Sequence, residues 1–161
     1  MEDWRKIDID ALDASTRNKR ITTQQINETL VSRGIIHNYT SDELNGLIQE
    51  VESKTYAKDF NGLFVDIISK YPVYSADDLS VKMKFLSAVA NALVNCKNID
   101  PIMSALSADE AEVLIKYCYK IMSIKEFQNN GHYILNWVDK LIAKFGQGIV
   151  VRYVSDRRTI W

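Results

Sequence analysis

The sequence predicts an all-α fold, either a compact helical bundle or a curved α-α superhelix of about five to seven helices. Two observations support this prediction. The 161 residues include only 6 glycines and 2 prolines, and an all-β chain of this length needs more turn residues than that. From Thr40 onward, apolar residues also recur at helical spacing behind recognisable helix-start signals.

The composition is that of one globular domain, with 47% hydrophobic and 25% charged residues. Lys and Arg number 20 against 21 Asp and Glu, so the net charge of −1 gives no long-range field to hold a polyanion. We therefore expect no nucleic-acid partner. The first residues lack the apolar region of a secretory signal, and no stretch approaches the ~20 apolar residues that cross a bilayer. We expect an intracellular, soluble chain without a membrane partner.

The chain divides into an extended N-terminal arm, residues 1–39, and a helical core domain, residues 40–161. The arm carries isolated apolar residues between acidic ones, and such points cannot form a core of their own. Two interpretations stay open: a frayed tail, or a recognition arm that orders on a partner. Within the arm, a short helix can open at Thr22 and close at Gly34.

Two helices are predicted at the start of the core domain. Thr40 and Glu43 have the spacing of a capping box, in which each side chain satisfies a free backbone amide. The second helix starts near Asp59, and Pro72 ends it because the residue before a proline disfavours helical geometry. Its predicted inward face comprises Leu63, Phe64, Ile67, Ile68 and Tyr71.

The third helix is capped by Ser75-Ala76-Asp77-Asp78, and a short fourth helix begins at Asp100-Pro101 with a cap and a first-turn proline. The buried stripe of the third helix is predicted to be Val81, Phe85, Leu86, Val89, Leu93 and Cys96. Both acidic residues at Asp77-Asp78 lie in a helix first turn, where free amides favour carboxylates, so we interpret them as capping groups rather than catalytic acids.

Three further helices complete the core domain. Ser107 to Glu110 is a second capping box, and Asn130 is predicted to cap the helix that Gly146 ends. The segment Ile149–Val154 fits a helix or a strand, and we predict a helix because an isolated strand finds no sheet to join.

The sequence offers little for catalysis, and we expect no catalytic residue, no cofactor and no metal site. The two histidines, His37 and His132, lie far from each other, and Cys96 and Cys118 lack the close spacing of zinc ligands. Both cysteines are predicted to be buried free thiols. An enzyme built from His132, Cys118 and distant acids is the rival that a pocket uniting these groups would support.

Candidate protein-interaction residues lie in two places besides the arm. The C-terminal segment Ser155–Trp161 joins Arg157 and Arg158 to an aromatic end, and Arg and Trp are enriched at the energetic centres of interfaces. A solvated tail is the equal alternative on composition alone. Lys116, Tyr117, Tyr119 and Lys120 form a second cluster, and on one helix these four cannot all face the core.

Three strings, in order along the chain, resemble subunit 5 of the actin-related protein 2/3 complex. They are Trp4-Arg5-Lys6-Ile7-Asp8-Ile9-Asp10, Leu114-Ile115-Lys116-Tyr117-Cys118-Tyr119-Lys120, and the C-terminal stretch from Leu135 that includes Gly148-Ile149-Val150 and Ser155-Asp156-Arg157-Arg158-Thr159. The departures lie between Ala11 and Tyr39, where this chain is basic, and at Trp161, which extends beyond the family's usual ending.

The resemblance implies a non-catalytic structural subunit of a hetero-oligomeric complex that nucleates branched actin filaments, located in the cytoplasm at cortical actin structures. It implies that the helical core docks on subunit 4 and the β-propeller subunit 1, and that the arm tethers actin-related protein 2. The expected contact residues are Trp4, Arg5, Ile7, Ile9, Lys116, Tyr117, Tyr119, Arg157 and Arg158. The alternative is a helical-repeat adaptor of another intracellular assembly.

Overall fold

The all-α prediction is confirmed by a computed structural model, which describes residues 23–156, Arg158 and Ile160. The α-helices are α1 (Thr23–Ser32), α2 (Ser41–Ala57), α3 (Leu79–Asn95), α4 (Asp100–Ala105), α5 (Ala108–Ser123), α6 (Gly131–Phe145) and α7 (Gly148–Ser155). A π-helix (Gly62–Ile68) follows α2, a 3-10 helix (Lys125–Asn130) precedes α6, and two short strands, β1 (Asn38–Tyr39) and β2 (Ser75–Ala76), pair in parallel. Within the described residues, no helix is long and apolar enough to cross a membrane.

The helix starts predicted from capping residues are largely those observed. Thr40 and Glu43 form the capping box of α2, and Ser107 and Glu110 form that of α5. Asp78 accepts a hydrogen bond from the Ser80 amide at the start of α3. Because these signals act within four residues, the local sequence is sufficient to place the helix ends.

One predicted cap is wrong, and a second is correct in position but lacks the side-chain hydrogen bond. Asp100 is the first residue of α4 rather than its cap, which is Ile99, and its carboxylate instead pairs with Lys140 on α6. Asn130 precedes α6, but its side chain makes no capping hydrogen bond. Neither helix therefore begins with a side-chain capping hydrogen bond.

The helix predicted after Asp59 is wound as a π-helix. Ser69 closes it, with both its amide and its hydroxyl donating to the Phe64 carbonyl, at 3.2 and 2.6 Å. The four apolar side chains that it presents to the core are Leu63, Phe64, Ile67 and Ile68. The prediction that Tyr71 shares this face is wrong, because Tyr71 lies beyond the π-helix and is 51% exposed.

The strand pair joins two segments far apart in sequence. Asn38 pairs with Ser75 and Tyr39 with Ala76, and the Asp77 amide donates to the Tyr39 carbonyl at 3.0 Å. Ile36 and Tyr39 are buried in the core. The chain is thus anchored to the core before α2 begins, and the short helix predicted between Thr22 and Gly34 is present as α1.

The core lies where α2, α3, α5 and α6 meet. Trp137 of α6 is fully buried, its indole N–H donates to the Leu93 carbonyl at 3.0 Å, and its ring packs 4.6 Å from that of Phe64. The six residues predicted as the buried stripe of α3 are all buried. Cys96 and Cys118 are buried free thiols, as predicted. Helix α5 contacts α3, α6, α7 and the π-helix, so it is the central element of the fold.

Candidate docking surface

The predicted contact residues fall in three places. Lys116, Tyr117 and Tyr119 lie on α5, and Arg158 follows α7. The remaining ones lie outside the described residues: Trp4, Arg5, Ile7, Ile9 and Arg157. The structure thus shows the surroundings of four predicted contact residues. Two of these residues lie in the interior and two at the surface.

Tyr117 lies in the interior, with no exposed surface. Its hydroxyl accepts a hydrogen bond from the Val73 amide at 2.8 Å, and its ring packs 6.1 Å from that of Phe85. Burial raises the pKa of its phenol far above the usual range, so the group stays neutral. Tyr117 therefore supports the surface of α5 from within.

Lys116 is 4% exposed and forms an internal ion pair. Its Nζ donates to the Asp156 carboxylate at 2.6 Å and to the Tyr74 hydroxyl at 3.2 Å, and it also lies over the Tyr74 ring. Since the ammonium group and the carboxylate satisfy each other, Lys116 holds the end of α7 against α5. Tyr117 and Lys116 are the two members of the predicted set that face inward.

Arg158 meets the same carboxylate from the solvent side. Its Nη2 donates to Asp156 Oδ2 at 3.0 Å, and its backbone amide donates to Oδ1 at 2.9 Å. Burial of Asp156 opposes its charged form, but hydrogen bonds from Arg158 and Lys116 outweigh that effect and lower its pKa to about 2. The Asp156 carboxylate therefore anchors the C-terminal segment to α5. Farther along the segment, Ile160 is buried.

Tyr119 is half-buried and stacks on Tyr153 of α7, with ring centroids 4.6 Å apart and planes inclined by 12°. Beside this stack, Arg152 pairs with Glu112 across the same two helices. Aromatic stacking and the ion pair together fix the orientation of α7 on α5. One face of α7 is thereby held, and the opposite face is turned away from the fold.

The outward face of α7 is apolar. Val151 is 66% exposed and Val154 is 75% exposed, and their spacing of three residues places them on one side of the helix. Ile149, at the inner side of α7, is fully buried. We define the docking surface as the exposed valines Val151 and Val154 together with the nearby predicted or half-exposed residues of α5, α7 and the C-terminal segment: Tyr119, Tyr153 and Arg158. This mixture is typical of the centre of a protein interface.

Comparisons with known proteins identify the family. The family model of the ARP2/3 complex 16 kDa subunit (p16-Arc) matches residues 3–160. Actin-related protein 2/3 complex subunit 5 of Saccharomyces cerevisiae is 32% identical over 163 residues, covering 98% of both chains. This chain belongs to the p16-Arc family.

More distant relatives carry the same assignment. The subunit 5-like protein of Homo sapiens is 25% identical over 159 residues, covering 98% of this chain and 94% of its own. The probable subunit 5 of Caenorhabditis elegans is 33% identical over 63 residues, covering 39% of this chain and 43% of its own. The resemblance based on the three sequence strings is therefore confirmed along nearly the whole chain.

Sequence reasoning missed the two valines of this p16-Arc family member. The segment that contains them is recognisable as a helix, but the apolar residues of a helix are expected to face inward. Their signal is that Ile149, Val150, Val151 and Val154 surround a helix of eight residues, which cannot bury all of them. The pairing of Lys116 with Asp156 has no local signal, since 40 residues separate them.

The groups of the rival enzyme hypothesis lie in ordinary structural settings. Burial raises the pKa of the Cys118 thiol to about 12 and that of Cys96 to about 11, so both are protonated at neutral pH. His132 packs its ring 3.9 Å from that of Tyr133. Between Thr23 and Asp156, and at Arg158 and Ile160, no three His, Cys, Asp or Glu residues are placed to hold a metal ion.

Proposed function

We propose that this chain is subunit 5 of the actin-related protein 2/3 complex, a non-catalytic structural subunit of the machine that nucleates branched actin filaments. The observation that carries the proposal is the match of the p16-Arc family model to residues 3–160. The yeast relative supports it, because its name places it in that complex and it matches along 98% of its length. The expected location is the cytoplasmic actin cytoskeleton, including its cortical structures.

In this proposal the helical core docks on sister subunits through the docking surface. Val151 and Val154 supply apolar area that is uncovered in the free chain, and burying it against a partner releases water and favours assembly. Tyr119 and Arg158 add an aromatic ring and a guanidinium, which are residue types enriched at the energetic centres of interfaces. The partners we propose for this core are subunit 4 and the β-propeller subunit 1.

The N-terminal arm is proposed to tether actin-related protein 2. Trp4, Ile7 and Ile9 are its anchors, and Arg5 adds a charge beside them. Because Asn27 of α1 is buried, as are Ile36 and Tyr39 after it, we assign the tether to the residues before α1. Ordering such a segment on a partner costs conformational entropy, which keeps the contact reversible while the complex changes shape.

The function is tested by affinity purification of a tagged copy from its native cells, followed by mass spectrometry. The proposal predicts near-equal recovery of two actin-related proteins, a β-propeller subunit and the other small subunits. A tagged chain that is recovered alone, or with an unrelated set of proteins, contradicts it. A matched copy of the tag without this chain controls for capture by the tag itself.

The arm is tested separately by Trp4→Ala with Ile7→Ala. The tether predicts weaker recovery of actin-related protein 2, unchanged recovery of the core partners and unchanged helicity by circular dichroism. A control pair in the same segment, Ser15→Ala with Thr16→Ala, is expected to behave as wild type. Loss of helicity in the Trp4/Ile7 variant contradicts the tether proposal, because the segment is then part of the folded core.

A helical adaptor of another assembly is the second candidate, and one observation favours it. A groove of about 850 Å³ lies between the C-terminal ends of α2 and α3. Tyr56, which is 93% exposed, lines it together with Phe60, Asn91, Asn95 and Lys97. Aromatic rings and side-chain amides of this kind can bind a short peptide. If the chain is such an adaptor, the tagged copy is expected to purify with peptide-containing partners and without actin-related proteins.

A further inference from the structure

Lys82 of α3 is a buried charge without a counter-ion. The side chain is 3% exposed, and none of the ion pairs in the described part of the chain includes it. Its Nζ donates one hydrogen bond, to the Tyr74 carbonyl at 2.7 Å, and an ammonium group can donate three. Burial, with Lys120 nearby, lowers its pKa to about 8. Buried lysines are normally paired, so this one is an exception.

A second unsatisfied group lies beside it. Asn27 of α1 is 6% exposed, and its side-chain oxygen has no hydrogen-bond donor. Both Asn27 and Lys82 line a groove of about 530 Å³ between α1, the strand pair and α3. Unpaired buried polar groups cost free energy, and two of them around one groove point to a ligand that supplies their partners.

The strand pair gives the groove its third feature. Asn38 of β1, and Ser75 and Ala76 of β2, line it. Among the described residues this sheet has two strands of two residues each, and the backbone groups along an unpaired strand edge can pair with an extended peptide. An extended peptide also has backbone N–H groups. One of them can donate to the Asn27 oxygen when the Asn27 side-chain amide rotates toward the groove.

Other groups at the groove do not neutralise Lys82. Asp77 accepts a hydrogen bond from the Asn38 amide group, and Asn38 in turn accepts from the Ser75 hydroxyl at 2.8 Å. These two hydrogen bonds link side chains from both strands and hold the strand pair together. Glu28 also lines the groove, but no ion pair joins it to Lys82 within the described residues. The Lys82 ammonium group therefore keeps unused donor capacity, as the Asn27 oxygen keeps unused acceptor capacity.

We propose that this groove binds an extended segment of a sister subunit, with an Asp or Glu side chain of that segment paired to Lys82. The choice of a carboxylate follows from the unpaired cation, and the choice of an extended backbone follows from the strand edge and the Asn27 oxygen. The inference rests on the proposed function, because the partner is a subunit of the same complex. It adds a second contact, formed by α1, the strand pair and α3 rather than by α7.

The test purifies the complex from cells through tagged copies of the full chain: wild type, Lys82→Met, Lys82→Arg and Lys84→Met. Lys84 is the matched control, since it is an exposed lysine on the same helix. We expect Lys82→Met to retain sister subunits about ten- to a hundredfold less well when salt is raised, and the other two variants to match wild type. Equal retention by Lys82→Met overturns the proposal.

Stability of the free chain separates binding from folding. Replacing an unpaired buried charge with methionine is expected to leave the urea midpoint near that of wild type. If Lys82→Met fails to fold, Lys82→Gln takes its place, since it is neutral and keeps a donor, and wild-type retention by Lys82→Gln overturns the proposal. If wild type itself recovers no sister subunit, the proposed function fails instead.

A final comparison tests whether the occupant is the chain's own N-terminal segment, residues 1–22, which carries five acidic and five basic residues. The urea midpoints of wild type and Lys82→Met are measured in the full chain and in a full chain whose N-terminal acids are changed to their amides: Glu2, Asp3, Asp8, Asp10 and Asp13. We expect the difference between the two midpoints to be the same in both backgrounds. A difference that depends on residues 1–22 shows that this segment supplies the carboxylate, and it overturns the assignment to a sister subunit.

Discussion

Helices α5 and α7 lie against each other, yet their side chains serve opposite purposes. Helix α5 turns an aromatic phenol and an ammonium group inward, where Tyr117 and Lys116 are almost fully buried. Helix α7 turns the apolar side chains of Val151 and Val154 outward. From residue type alone, one would expect the polar groups of Tyr117 and Lys116 at the surface and the two valines in the interior. The comparison shows that the position of a helix in the fold decides which of its side chains can contact a partner.

The physical reason is the number of neighbours. Helix α5 is surrounded by α3, α6, α7 and the π-helix, so its polar groups must find partners inside the fold. They do so through the Val73 amide, the Tyr74 hydroxyl and the Asp156 carboxylate. Helix α7 packs mainly on α5 and α6 among the elements in the described part of the chain, which leaves one side uncovered.

The largest effect is expected from Tyr117→Ala. Removing a fully buried ring leaves a cavity and is expected to lower the free energy of unfolding by about 3–5 kcal/mol. Tyr117→Phe keeps the ring but removes the acceptor of the Val73 amide, for a loss of about 1–3 kcal/mol. Urea denaturation measures both. Wild-type stability in Tyr117→Ala would show that this residue is a surface contact after all.

A smaller loss is expected from Asp156→Asn. The change leaves Lys116 without its counter-ion, and we expect the free energy of unfolding at neutral pH to fall by about 2–3 kcal/mol. Lys70 and Asp66 form an exposed pair, so Asp66→Asn is the control, with a loss of about 0.5 kcal/mol or less. Equal effects in the two variants contradict an internal role for Asp156.

The same carboxylate makes stability depend on pH. Its pKa is about 2 in the folded chain, below the ordinary aspartate value of 3.8 that applies after unfolding, so folding favours the charged form. Its contribution is complete above about pH 4 and is lost as pH falls toward 2. Urea denaturation between about pH 6 and 2 is therefore expected to show a steeper fall for wild type than for Asp156→Asn. Parallel curves would refute this explanation.

The smallest effect on stability is expected at the outward face of α7. Val151→Ser with Val154→Ser removes exposed apolar area, and valine and serine have similar helix propensities, so the free energy of unfolding should change by less than about 0.5 kcal/mol. Retention of sister subunits should nevertheless fall roughly tenfold or more. The opposite pattern, lost stability with normal assembly, would falsify the docking role of this face.

The sequence is informative where structure is local. The capping boxes at Thr40 and Ser107 place two helix starts because each acts within four residues. The strand pair is not predictable, since strands of two residues have no periodicity and their partners are 37 residues apart. The burial of Tyr117 escapes prediction for a related reason: α5 is apolar on more than one side, and only its neighbours determine which side faces solvent.

The most direct test of the docking surface is thiol labelling of Val154→Cys in the free chain and in the purified complex. The chain's own cysteines are buried, so the introduced thiol is the reactive one, and the unmodified chain serves as the blank. We predict rapid labelling of the free variant and strong protection within the complex. Labelling at the same rate in both states would contradict the account, because the outward face of α7 would then remain uncovered after assembly.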